Sequence, residues 1–318
     1  MPAIKKYLLP LLAVLLAGVS AAQRAGLRGG LGGYGGGYGG GSEGPIVRTE
    51  GGDLVNEDTV RTARETVGHS VDLPEWKNPA EFDRDVFTYA RIIFKSPGRA
   101  SMLGWVNDYP DADLNLSYRL HQLTAMKVNP DGRVLKLTDP NLGDYPLLLA
   151  TQPGGMVLRE DEVDALRQHL LSGGVLVVDD FWGTREWDNF AYQMGRVLPG
   201  RAWSELSMEH PLFHCVFDLK GPMRNLQVPT INFWNRDYDP ADPQSQTTRP
   251  RNGMTGSETM HVRAWLDDKG RIMVLALHNT DNGDGWEREG EDPSYFQQFA
   301  EPRAYPLAIN IIYYLMTH

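Results

Sequence analysis

The stretch "GGVLVVDDFWG", residues 173–183, joins a glycine pair to an unbroken apolar run and ends it on two carboxylates and two large aromatics. A short aliphatic run bounded by turn residues reads as a strand buried on both faces, which is the mark of a parallel sheet. That strand is expected over 175–180. Just before it, "REDEVDALRQHLLSGG" (159–174) crowds acids into a first turn and sets Val163, Leu166, Leu170 and Leu171 on one face. Gly173 and Gly174 then stop the helix. After it, "TREWDNFAYQMGRVL" (184–198) is expected as a second helix.

The same alternation extends in both directions. "VFTYARIIF" (86–94), "RVLKL" (133–137), "YPLLLAT" (145–151) and "FHCVFDL" (213–219) are expected strands. "DADLNLSYRLHQLT" (111–124) and "EPRAYPLAINIIYYLMTH" (301–318) are expected helices, the first capped by Asp111 or Asp113. "TMHVRAWLDDKGRIMVLALHN" (259–279) reads as a hairpin about Asp268-Lys269-Gly270, and 221–256 as irregular. Strands and helices in alternation give an α/β class: a three-layer, mostly parallel sheet with an added β-hairpin.

The amino-terminal part differs in kind. "MPAIKKYLLPLLAVLLAGVSAAQ" has a positive end at Lys5 and Lys6, a short apolar stretch and a small-residue cleavage site, so residues 1–22 are expected as a secretory signal peptide. The expected location is periplasmic or extracellular, with no transmembrane span after cleavage. Residues 26–44 are more than half glycine and are expected as a flexible tether. With the polar stretch 45–80 they make a tether and extended lead-in over 23–80, ahead of a folded domain over 81–318. The 318 residues carry a formal charge of −10 and no Lys/Arg block, which excludes nucleic acid as a partner. The single cysteine, Cys215, excludes an intrachain disulfide.

Ligands of open α/β sheets bind beyond the carboxyl ends of the strands. The residues there are Asp108 and Asp111 in "GWVNDYPDADLN" (104–115), Gly154 and Gly155 after the 145–151 strand, and Asp179, Asp180 and Trp182 after "VLVV". His278, Asn279 and Asp281 follow "IMVLAL". Acids, amides, a histidine and aromatics on one edge suit a polar ligand, and Trp105, Trp182 and Trp286 suit sugar stacking. Each has a plainer reading. Adjacent strand residues point to opposite faces, so Asp179 and Asp180 need a bend to share a ligand, or one caps the helix near Thr184. Asp111-x-Asp113-x-Asn115 opens like a calcium loop but has Leu116 and Gln122 where glycine and glutamate belong, so capping is favoured. "NTDNGDG" (279–285) wraps a cation or makes a solvated turn. His210 and His214 on extended chain lie about 13 Å apart, too far to share zinc. Cys215 sits in an apolar run and reads as structural; no G-x-S-x-G follows an expected strand.

Five stretches, "DYPDADLNLSYRLHQLTAMKV", "LTDPNLGDYPLLL", "LLSGGVLVVDDFWG", "HPLFHCVFDL" and "AYPLAINIIYYLMTH", together resemble the bacterial family catalogued as domain of unknown function 4159, over roughly residues 84–318. The resemblance implies a flavodoxin-like, class I glutamine amidotransferase-like sheet, and some relatives that resemble the soluble part of larger envelope proteins. It names no activity and no cofactor. Amidotransferases need a cysteine at the elbow after a central strand; here that place holds Asp179-Asp180, so glutaminase chemistry is not expected. The reading reached is an envelope domain that binds a polar small ligand or an envelope protein. The alternative is an acid- or metal-dependent hydrolase using the strand-end carboxylates.

Overall fold

The structure, a computed structural model, describes residues 46–70, 75–82, 85–97, 104–249 and 254–318. The expected signal peptide and the glycine-rich stretch lie outside the described residues. Among those described, no helix is long and apolar enough to cross a membrane.

Apolar residues of the central strands alternate between two cores, as period-2 geometry requires. Leu148, Ala150, Leu176, Val178, Val274 and Ala276 face one core; Leu147, Leu149, Val175, Val177, Leu275 and Leu277 face the other. The strands are β3 (Ala90–Ile93), β4 (Arg133–Lys136), β5 (Leu147–Thr151), β6 (Val175–Phe181), β7 (Trp203–Glu205), β8 (His261–Leu266) and β9 (Ile272–His278). They form one sheet in the order β4-β3-β5-β6-β9-β8-β7. The first five in that order pair in parallel; β7 and β8 pair antiparallel, so β8–β9 is the added hairpin. Counted among the parallel strands alone, the order is 2-1-3-4-5, a common doubly wound arrangement.

Helices α2 (Glu160–Leu171) and α3 (Gly183–Val197) cover the first core through Val163, Leu166, Leu170, Phe190 and Met194. Helix α1 (Asp111–Leu123) covers the second through Ala112, Leu116 and Leu120. Beside it lies α6 (Tyr305–Thr317), which continues from α4 (Asn282–Glu287), the single turn α5 (Pro293–Tyr295) and a π-helical stretch (Phe296–Ala304). This is the expected three-layer α/β sandwich.

The expected strand at 213–219 is not one. Pro211 opens a single 3-10 turn, with His210 Nδ1 accepting from the Leu212 N–H. The backbone beyond is satisfied from α6: Asn310 Oδ1 accepts from Val216 N and Phe217 N, and its Nδ2 donates to Phe217 O. Val216 and Phe217 are left exposed, so the apolar run had no sheet to enter.

Residues 46–70 lie against the sheet. They pair β1 (Ile46–Arg48) with β2 (Leu54–Asn56), bury Val55, Val60 and Ala63, and accept Val134 N–H from edge strand β4 at Arg61 O. An exposed strand edge invites pairing with other chains; this strap covers that one.

Candidate functional site

The strand-end edge gathers carboxylates from three chain segments. The first comes after β3. Arg91, fully buried in that strand, forms an ion pair with Asp113 of α1 and donates through Nη1 to Trp105 O (2.9 Å), Asn107 O (3.0 Å) and Thr151 Oγ1 (3.0 Å). It therefore fixes the loop that ends on Asp108. Asp108 takes a left-handed backbone (φ 59°), which Asp tolerates better than most residues.

The second comes from β6, where the needed bend exists. Val178 pairs with Ala276, but the next partner of β9 residue His278 is Phe181, so β6 carries one extra residue. Asp180 takes a left-handed conformation there (φ 54°), as a β-bulge allows. The parity of the strand flips, Phe181 joins the α3 core, and both acids stay at the edge. Asp179 accepts from Asn282 Nδ2 and Gly283 N, both at 2.9 Å. Asp180 accepts from Asn107 Nδ2 (3.0 Å) and from its near neighbour Trp182 Nε1 (2.8 Å). Neither acid caps α3, whose N-cap is Trp182. Asp179 instead serves the first turn of α4.

The third comes after β9. Asp281 is the N-cap of α4 and accepts the Asp284 N–H at 2.8 Å. Asp284 and Glu287 follow at three-residue spacing, so the helix stacks them on one side. Carboxylate oxygens of Asp108, Asp281 and Asp284 lie within 4.8 Å of one another, all three residues buried; Glu50 of the strap, Asp108 and Glu287 make a second such group.

Crowding and burial govern the charge states. Burial, then Glu287, Asp284 and Asp180, hold Asp108 well above the usual carboxylate range. Burial, then Asp180, Asp284 and Asp108, do the same to Asp281. Burial pushes Asp179 up to about 7 and, with Asp284 adding to it, Glu287 up to about 10. The guanidinium of Arg288 is divided among Asp284 (3.2 Å), Glu287 (2.9 Å), Glu291 (3.3 Å) and Glu50. Perturbed acids concentrated at one sheet edge are a functional-site signal.

The other sequence candidates divide. Asp111 begins α1 but does not cap it, and neither does Asp113; the N-cap is Pro110. Asp111 instead accepts from His69 N, Ser70 N and Ser70 Oγ of the strap. His278 does not join the acids. It shares the parity of Ala276 and faces the α3 side, between Phe181 and Trp187, with Nε2 3.1 Å from Gly183 O. Burial there pushes it down to about 3, so it is a neutral core histidine. Asn279 latches loops, accepting from Gly183 N and donating to Gly256 O and Thr259 O. Gly154 and Gly155 form a buried turn where Gly154 packs on Glu186 of α3. Trp105, Trp182 and Trp286 are each at most 5% exposed, which removes them as a stacking platform. His210 and His214 are held by separate partners, and Cys215 Sγ meets the carbonyls of Leu212 and Asn310.

Asp284, Glu287, Glu50 and Asn107 were not singled out from the sequence, although the stretch 279–285, weighed as a cation loop, contains Asp284. The spacing Asp281-x-x-Asp284-x-x-Glu287 was a legible signal for two of them; Glu50 and Asn107 reach the site only through tertiary packing.

No curated protein matches the chain. One family profile does, over residues 98–316, which holds nearly all of the sheet and every acid of the edge except Glu50. The chain belongs to that family, described as domain of unknown function DUF4159.

Proposed function

We propose that this is an exported binding domain of the cell envelope whose ligand is cationic and is held by the carboxylates of the strand-end edge. One observation carries the reading: three chain segments deliver Asp108, Asp180, Asp281 and Asp284 to one buried locus in which Asp284 has an arginine partner and, among the described residues, Asp108 and Asp281 have none. Such a locus repels anions and attracts metal ions or ammonium groups. The 2-1-3-4-5 strand order supports grouping the fold with flavodoxin-like, glutamine amidotransferase-like domains. The strained residue of the strand-to-helix turn is Asp180, not cysteine or serine, which argues against glutaminase chemistry. Export rests on the composition of residues 1–22.

A thermal-shift titration of the full chain tests the reading. Divalent metals or ammonium compounds (putrescine, glucosamine) are expected to raise Tm, and dicarboxylate anions are not. A rise with anions alone, or ammonia release from glutamine, would overturn it. The position of Asp180 favours one second reading, a hydrolase with a carboxylate nucleophile. Turnover of nitrophenyl esters that disappears in Asp180→Asn would establish it; absence of turnover removes it.

A further inference from the structure

The acids of this edge are not equivalent. Asp179 has both oxygens bonded, to Asn282 and Gly283. Both oxygens of Asp180 accept as well. Asp284 accepts from Ile231 N at 2.6 Å and pairs with Arg288. Asp108 and Asp281 differ. Each uses one oxygen, on Asn107 and on Asp284 N respectively. Their remaining oxygens, Asp108 Oδ2 and Asp281 Oδ2, have no hydrogen-bond partner among the described residues. Both side chains are essentially sealed from solvent, at 0% and 1% exposure. Among the described residues, no Lys or Arg forms an ion pair with either.

A buried carboxylate oxygen with nothing to accept is costly, and two in one cluster are more so. Their direction is set by the fold. A Cβ added at Gly283 would overlap Asp108 Oδ2 and lie 3.4 Å from Asp281 Oδ1, so Asp108 points into the first turn of α4 and glycine leaves the space. Asn282 Oδ1, one residue away on the same turn, also lacks a partner among the described residues.

We propose that Asp108, Asp281 and Asp284 form a site for a hard, oxygen-seeking divalent cation of the calcium or magnesium class. The inference deepens the cationic-ligand reading above and rests on it. Three buried carboxylates, each with an oxygen within 4.8 Å of the other two, match the reach of a single ion, and two of them carry an oxygen without a partner among the described residues. All three donors are oxygens, with no thiolate or imidazole among them, which favours calcium, magnesium or manganese over zinc. The site lies beneath the strap, where Glu50 pairs with Arg288 and groups with Asp108 and Glu287. Glu50 therefore stands on the approach from outside.

The test uses the full chain, stripped with EDTA and returned to Ca2+, Mg2+, Mn2+ or Zn2+ in turn, with Tm as readout. At 1 mM, one of the first three is expected to raise Tm by about 4 °C or more, and Zn2+ by less. Asp281→Asn keeps the cap on α4 but removes a charge. It is expected to raise the Tm of the stripped protein and to lose the cation-induced rise; a purely hydrogen-bonding role would not raise it. Asp108→Asn is expected to behave alike, and Gly283→Ala to lose the rise by crowding Asp108. If one of these fails to fold, the other two decide. No rise with any divalent cation, or an equal rise in all folded variants, overturns the inference. A rise with putrescine or glucosamine alone overturns it while leaving the cationic-ligand reading standing, and no rise with either class removes both.

Discussion

Arg91 shows how much of the site depends on one side chain that contacts none of its unpartnered oxygens. Its guanidinium holds Asp113 and two carbonyls of the loop leading to Asp108, with no exposure. Replacing it with methionine leaves Asp113 charged and alone in the core, which costs about 3–5 kcal/mol. Urea denaturation is expected to register that loss. The double variant Arg91→Met, Asp113→Leu should recover much of it, because the buried pair is then removed whole. A double variant as unstable as the single would mean that the loop carbonyls, not the ion pair, carry the cost. At this scale the sequence was partly legible. Asp108, Asp180 and Asp281 were visible as acids after strands. His278 was placed with them in error, although period-2 parity with Val274 and Ala276 already sends it to the opposite face from Asp179. Arg91 was invisible as a positioning residue, since an arginine inside a strand pattern declares no partner.

The element that shapes the edge is the single extra residue in β6. Alternation along "VLVVDDF" predicts Phe181 on the face of Val177 and Asp179; the bulge at Asp180 moves it to the face of Val178. Deleting Asp180 would give a regular strand in which Phe181 keeps its face and its pairing with His278. The deletion variant is therefore expected to fold, with stability within about 2 kcal/mol of the parent, since a left-handed non-glycine residue and a buried acid leave together. A loss well beyond that would show that the bonds from Asn107 and Trp182 to Asp180 hold the edge together. The strands, helices and layers were readable because buried parallel strands are continuous apolar runs and the covering helices repeat every three to four residues. The bulge was not, because nothing local marks which of two adjacent acids is the extra one. The strap was missed for a different reason: its few buried residues, Val55, Val60 and Ala63, are spread along a polar stretch without a period.

For the whole molecule, the excess of acids predicts an unusual response to pH. Asp179 and Glu287, held up to about 7 and about 10, and Asp108 and Asp281, also raised, bind protons more tightly folded than unfolded. The stability they contribute is therefore fully present below the unfolded carboxylate range near 4. It is lost as pH rises, through about 7 for Asp179 and onward toward 10 for Glu287. His278 works the other way. Held down to about 3, it contributes stability above its unfolded value near 6.5 and loses it as pH falls toward 3. Burial lowers His169 and His210 as well and also raises Asp113, so five acids oppose three histidines and the sum keeps the sign of the acids. Calorimetry of the EDTA-stripped protein is expected to give a Tm that falls from pH 5 to pH 9, and His278→Gln should steepen the fall below pH 6.5. A divalent cation should flatten or reverse the slope, since deprotonation then supplies the charge that the ion needs. A Tm that climbs steadily over that range without cation would mean that these acids are ionised at no cost. The arrangement of Arg288 among four carboxylates would then be sufficient neutralisation for the whole edge.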